Sequence, residues 1–204
     1  MQSQLSFEEF RKEVLSDFRQ ACISREVSLL GRREVLTGKA KFGIFGDGKE
    51  VAQIAMAKYF KPGDFRSGYY RDQTFAFVSG IATVEQFFSQ LYADPDINNE
   101  PFTAGGQMNA HFATPNVDME GNWLNIAGMK NTAADMAPTA AQMPRALGLA
   151  FASKLFRLYW RSYRHMVPLC YSFSATSQAS GILSFTSSTA ALIFVLSIAR
   201  RLAV

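Results

Sequence analysis

The sequence holds only two cysteines and two histidines, and no acid follows Arg157. Each shortage excludes something. Cys22 and Cys170 lie far apart and fit neither a ligand spacing nor a redox spacing, so both are expected to be core thiols. His111 has no second histidine, cysteine or carboxylate at metal spacing, which argues against a metal centre. Of the 21 basic residues, four lie after residue 157, leaving 17 to balance all 17 acids in the main body. That body is therefore neutral and lacks the basic stripe a nucleic-acid surface needs, so no nucleic-acid partner is expected. There is no apolar leader either, because Phe7 to Arg19 is charged throughout, and a cytoplasmic compartment is the expectation.

What is present reads as globular: 48% hydrophobic and 19% charged residues, enough for one core with an appendage. Ser6-Phe7-Glu8-Glu9 fits a capping box. Phe7, Phe10, Val14, Phe18, Ala21 and Cys22 then recur at three and four residues, predicting an amphipathic helix to about residue 30, with Gly31 as its stop. This helix is expected to pack or dock. Phe42 to Gly48 is a short apolar run ending in Gly-Asp-Gly. Such a turn opens thiamine diphosphate fingerprints, but the Asn pair that should follow at about thirty residues is displaced to Asn98-Asn99. The turn reading is preferred, with Asp47 capping a helix from Lys49 to Phe60 that ends before Pro62-Gly63.

Phe65 to Gln73 reads as a strand or loop running into Tyr70-Arg71-Asp72. There an arginine beside glycine and tyrosine suits a phosphate, or else forms a local Arg71 to Asp72 pair. Thr83 to Tyr92 is predicted helical, and Asp94 to Pro101 is a turn-rich break. Gly105-Gly106 precedes Gln107-Met108-Asn109-Ala110-His111 and would let the backbone approach a ligand. His111 is either hydrogen-bonded structure or an acid-base group. Asn116 to Lys130 reads as a long surface loop. Pro144 suits the first turn of a helix through Leu155, with small apolar residues for close packing.

The ordered set Tyr70-Arg71-Asp72-Gln73, Gly106 to Phe112, and Ala137-Pro138-Thr139 to Arg145 resembles the alpha portion of the decarboxylating first component of 2-oxo acid dehydrogenase complexes. The likeness is to bacterial forms with fused alpha and beta portions and covers residues 5 to 157. It implies a helix-rich α/β fold, a partial thiamine-diphosphate-binding domain whose sheet is incomplete. It implies that Tyr70 and Arg71 contact the cofactor diphosphate and that His111 lies near the thiazolium. The Ala137-Pro138-Thr139 loop would hold the aminopyrimidine. The implied reaction is oxidative decarboxylation of a branched-chain 2-oxo acid or pyruvate, with acyl transfer to a lipoyl group. Its partners would be the beta portion and the lipoyl-bearing acyltransferase.

Two departures accompany the likeness. Gly106 replaces an arginine usual in the family, and the magnesium ligands that should follow Arg145 are absent. The chain is accordingly expected to be an N-terminal fragment, with little activity alone. Three segments are expected: a helical one over 1–40, the partial cofactor domain over 41–157, and an atypical tail over 158–204. The tail includes Met166 to Ala199, which lacks charge. It can be a shifted reading frame with early termination, a buried strand and helix, or a membrane helix at Gly181 to Ala199. With that last option, a small membrane-anchored helical interaction protein is the alternative function.

Overall fold

The computed structural model describes residues 6–159 and 170–172. The chain forms α1 (Phe7–Leu36), α2 (Glu50–Ala57), β1 (Phe65–Tyr69), α3 (Gln73–Ser79), α4 (Val84–Leu91), β2 (Asn131–Met136), α5 (Gln142–Tyr159) and β3 (Cys170–Ser172). The three strands make a small parallel sheet in the order β2-β1-β3. The fold is helix-rich α/β with an open sheet. β3 falls within the tail and pairs with β1, so part of that tail belongs to the sheet. The proposed membrane segment, 181 to 199, lies outside the described residues. Among the described residues no helix is long and apolar enough to cross a membrane.

Local chemistry sets most helix starts. Ser6 and Glu9 exchange the two bonds of a capping box at α1, and Thr83 and Gln86 do the same at α4, so each helix start satisfies two orphan amides without tertiary help. Pro144 stands in the first turn of α5, where its missing N–H costs nothing. Asp47 does not cap α2. Its carboxylate is bound by Arg32 at 2.7 Å, while Glu50 takes the Gly48 amide at 3.1 Å.

α1 departs most from its pattern. It runs through Gly31 to Leu36 and ends at Thr37. Gly31 is a packing residue here, because a Cβ would enter the ring of Phe45. The stripe expected to pack or dock is exposed: Phe7 at 75%, Phe10 at 54%, Val14 at 46% and Phe18 at 67%. Cys22 is exposed too, against the expectation of a buried thiol. The buried face is mixed and lies further along, at Ser24, Val27, Ser28, Gly31 and Glu34. Ser24 shares a 2.6 Å hydrogen bond with Thr74, and Gln73 donates to Ser28 Oγ at 2.8 Å, so hydrogen bonds as well as the apolar contact of Val27 seat α1 on α3.

The main apolar core gathers Val27, Phe45, Ala76, Phe87, Leu91, Ala110 and Phe112 between α1, α3, α4 and the chain preceding β2. Phe87 and Phe112 are fully buried. Phe112 therefore carries its neighbour His111 to the inner end of this core. The Asn116 to Lys130 stretch is irregular, as read, apart from one bridge between Val117 and Trp123.

Candidate functional site

β1 and β2 run parallel, so the segments leaving their carboxyl ends emerge side by side, with Tyr69 opposite Met136. In open parallel sheets this end of the strands is where ligands bind. Tyr70-Arg71 leaves β1 there, and Ala137-Pro138-Thr139 leaves β2. The Thr139 hydroxyl acts on the phenol of Tyr69, pulling its pKa down, which puts the two departing segments side by side. Burial, and then the neighbouring Tyr70 hydroxyl, raise the Tyr69 phenol above its ordinary pKa.

The third cluster arrives from the side. The His111 ring stacks on Tyr70 with centroids 5.8 Å apart and planes 3° from parallel. His111 Nδ1 lies 3.0 Å from the Met108 carbonyl and 3.2 Å from that of Asn109. A neutral ring with its proton on Nδ1 would donate to these carbonyls and keep Nε2 as the other nitrogen. The backbone of His111 is clamped by one side chain, since its N–H donates to Gln90 Oε1 at 2.8 Å and its carbonyl accepts from Gln90 Nε2 at 2.9 Å. Gln90 in turn donates to buried Glu100 at 3.4 Å, whose carboxylate also takes the amides of Phe102, Thr103 and Gly105. Gly105 thus approaches its own chain: a Cβ there would crowd the Ala93 carbonyl. Ala110, just before His111, and Ala140, just after Thr139, have φ of 59° and 67°. Left-handed backbone at alanine costs about 1–2 kcal/mol, and such strain concentrates at functional loops.

Arg71 lies over the Tyr70 ring at 5.3 Å and the Tyr69 ring at 5.8 Å, and it donates to the Tyr70 hydroxyl at 3.1 Å. Its Nε is buried without a hydrogen-bond partner. A buried guanidinium donor in that state costs free energy until an acceptor arrives. The local Arg71 to Asp72 pair considered above does not form, because Asp72 turns inward.

Asp72 belongs to a group that the sequence reading missed. Arg66, on β1, is fully buried between two carboxylates: NH2 reaches Asp72 at 2.9 Å and NH1 reaches Asp135, on β2, at 2.7 Å. Asp72 also takes the Tyr69 amide at 2.9 Å and Asp135 the Phe112 amide at 3.1 Å. One cation therefore fixes the two backbones that carry Tyr70 and His111. Gly68 has to lack a side chain, since a Cβ would enter the Arg66 guanidinium. Burial pushes Asp72 up to about 7 and Asp135 up to about 6, with Arg66 pulling both downward. Two carboxylates around one guanidinium leave a net buried charge of one sign, which favours retaining a proton. The available signal was a lone charge inside each strand segment, Arg66 in Phe65–Tyr69 and Asp135 in Asn131–Met136.

The donors present suit a phosphorylated aromatic cofactor. The orphaned Arg71 Nε can receive an anion, and Gln142 offers both amide atoms, buried and unpartnered, beside Ser67 at the start of α5. A divalent metal finds less: among the described residues no group of three His, Cys, Asp or Glu side chains could hold one. The model for the dehydrogenase E1 component family matches residues 19–180, most of the chain and beyond Arg157. The chain belongs to that family, which is thiamine-diphosphate-dependent and supplies the first component of 2-oxo acid dehydrogenases.

Proposed function

As a member of the dehydrogenase E1 component family, this chain is, we propose, the alpha part of a 2-oxo acid dehydrogenase that acts on a branched-chain 2-oxo acid or pyruvate and passes the acyl group to a lipoyl arm. The observation that carries the reading is the meeting of Tyr70-Arg71, His111 and Ala137-Pro138-Thr139 at the carboxyl ends of β1 and β2. Thiamine diphosphate, when bound, supplies the electron sink for decarboxylation. Arg71 would hold its diphosphate, with Tyr70 setting the guanidinium plane. The Ala137-Pro138-Thr139 loop would hold the aminopyrimidine through backbone groups. His111, stacked on Tyr70 with Nδ1 engaged, would present Nε2 to the reacting carbonyl and hold or release a proton there.

The described residues do not assemble a magnesium site, so no step is assigned to that ion. The remaining half of the cofactor site and the activating carboxylate would come from the beta portion, making this chain nearly inactive by itself. Calorimetric titration with thiamine diphosphate, with and without a co-expressed beta portion, tests this. Tight binding only with the beta portion is the expected result. One-to-one tight binding by this chain alone would overturn the half-site, and no binding under either condition would overturn the cofactor site. Decarboxylation assayed with 2-oxoisovalerate and pyruvate then sets the substrate. The chain past Leu158 is proposed to stay in its native reading frame at least to residue 180, on the strength of the reach of the family match. Resequencing across that junction checks it, and a frame break there would sink it.

A second reading, a helical interaction protein, is favoured by one observation: the exposed stripe of Phe7, Phe10, Val14 and Phe18 on α1.

A further inference from the structure

α4 reaches the site through one polar side chain. Gln90 is buried in the last turn of that helix, beside Phe87 and Leu91 of the apolar core. Both ends of its amide serve the same residue: Oε1 accepts the His111 N–H at 2.8 Å, and Nε2 donates to the His111 carbonyl at 2.9 Å. A carboxamide carries one donor group and one acceptor side by side, so it can pair with the N–H and C=O of a single residue as a neighbouring strand would.

The amide is also held one way round. Nε2 donates to Glu100 Oε1 at 3.4 Å, and the rest of that fully buried carboxylate accepts from the amides of Phe102, Thr103 and Gly105 and from the Thr103 hydroxyl. Glu100 thus draws the donor end of Gln90 toward itself and leaves Oε1 for the His111 N–H.

With both peptide groups of His111 held, the ring is carried in a set relation to the chain before it. Ala110 turns that chain back with a φ of 59°, and the Met108 and Asn109 carbonyls lie 3.0 and 3.2 Å from His111 Nδ1. A carbonyl oxygen has no proton to give. In the neutral ring Nδ1 must therefore carry the proton, and the lone pair resides on Nε2. A histidine side chain free in water prefers the opposite form, with the proton on Nε2, so the fold reverses the ordinary preference.

We propose that Gln90 is a positioning residue that fixes the tautomer of His111, so that the neutral ring offers Nε2 as its proton acceptor. Its use in the reaction rests on the cofactor reading above. Gln90 acts through the His111 backbone, from a helix otherwise given to the apolar core.

The test is two-bond proton–nitrogen correlation NMR on the full chain with nitrogen-15-labelled histidine, at a pH where the rings are neutral. The chain has two histidines, His111 and His165, so a His165→Gln variant assigns the signals. Wild-type His111 is expected to show the Nδ1–H form. Gln90→Met, which nearly keeps the volume and removes both hydrogen bonds, should shift the ratio toward the Nε2–H form by about tenfold, the equivalent of one hydrogen bond. If that variant fails to fold, Gln90→Asn replaces it: the shorter stem withdraws the amide from His111, and the same direction of shift is expected. Val27→Ala removes packing from the same core and leaves the His111 backbone bonds in place, so it should keep the wild-type form. An Nε2–H ring in the wild type, an unchanged ratio in the Gln90 variant, or an equal shift in Val27→Ala would each overturn the inference. None of these outcomes bears on thiamine diphosphate binding, which the calorimetric titration above decides separately.

Discussion

The first half of α1 and the pairing of β1 with β2 reverse the usual placement of side chains. On α1, four large apolar residues face outward. Under the site, an arginine and two aspartates are sealed at the centre of the fold. The difference lies in where each group finds its partner. Arg66 meets both of its carboxylates within the chain, so desolvation is offset by two ion pairs and by the amides those carboxylates accept. Phe7, Phe10 and Phe18 find no such cover among the described residues, and α1 is instead seated further along, through Ser24, Val27 and Ser28. Residue type alone decides neither case.

Several experiments would break or sharpen this contrast. The largest effect is expected from Arg66→Leu, which leaves two buried carboxylates without their cation and should cost about 3–5 kcal/mol in urea unfolding. A cost comparable to a surface change would show that the triad is not sealed. Phe87→Ala, deep in the apolar core, should cost about 3–5 kcal/mol as well. It gives the scale against which α1 can be read.

The buried acids should next make stability depend on pH. Because burial raises Asp72 to about 7 and Asp135 to about 6, the native state binds more protons than the unfolded chain above the ordinary carboxylate range. Their stabilising contribution is full below the unfolded pKa, near 4, and is lost as pH rises through about 6 and then 7. Unfolding midpoints measured across that window should fall with pH, and Asp72→Asn should flatten the slope. A rise with pH would mean that Arg66 dominates burial at both carboxylates.

The smallest effect is expected on the exposed stripe: Phe10→Ser should change stability by no more than about 0.5 kcal/mol, in contrast to Phe87. A large loss would show that the stripe is covered in the native chain. Cys22, on the same helix and exposed, should react with a maleimide without denaturant; full protection would contradict its exposure.

What could be read from sequence follows the range of the interaction. The capping box at Ser6, the helix start at Thr83, and Pro144 in the first turn of α5 depend on residues three or fewer positions away, and all were legible. Gly31 was not, because its role is set by Phe45 packing across from it. β2 and α3 escaped for related reasons: the short segments Asn131–Met136 and Gln73–Ser79 carry buried polar groups whose partners are supplied by the fold, as with Gln73 to Ser28 and Asn131 to the Asp64 carbonyl. The site residues Tyr70, Arg71, His111 and Thr139 were legible through resemblance, and the fold brings their segments together. Arg66 with Asp72 and Asp135 was not, since only the parallel pairing of β1 with β2 makes them neighbours. Whether the α1 stripe packs or docks was left open by the sequence. Periodicity identifies an apolar face but does not say whether the chain itself covers it.

Gln73 joins three segments of the chain: its amide group accepts from Gly46 and donates to the Ser24 carbonyl and Ser28 Oγ. A joint among three segments so distant in sequence closes only after each has lost its own loop entropy. It is expected to close in the last stage of folding, after α1 has formed and the core around Phe87 has gathered. Removing it with Gln73→Ala should steepen escape from the native state while leaving the approach to it nearly unchanged, a signature visible in the two arms of a chevron plot.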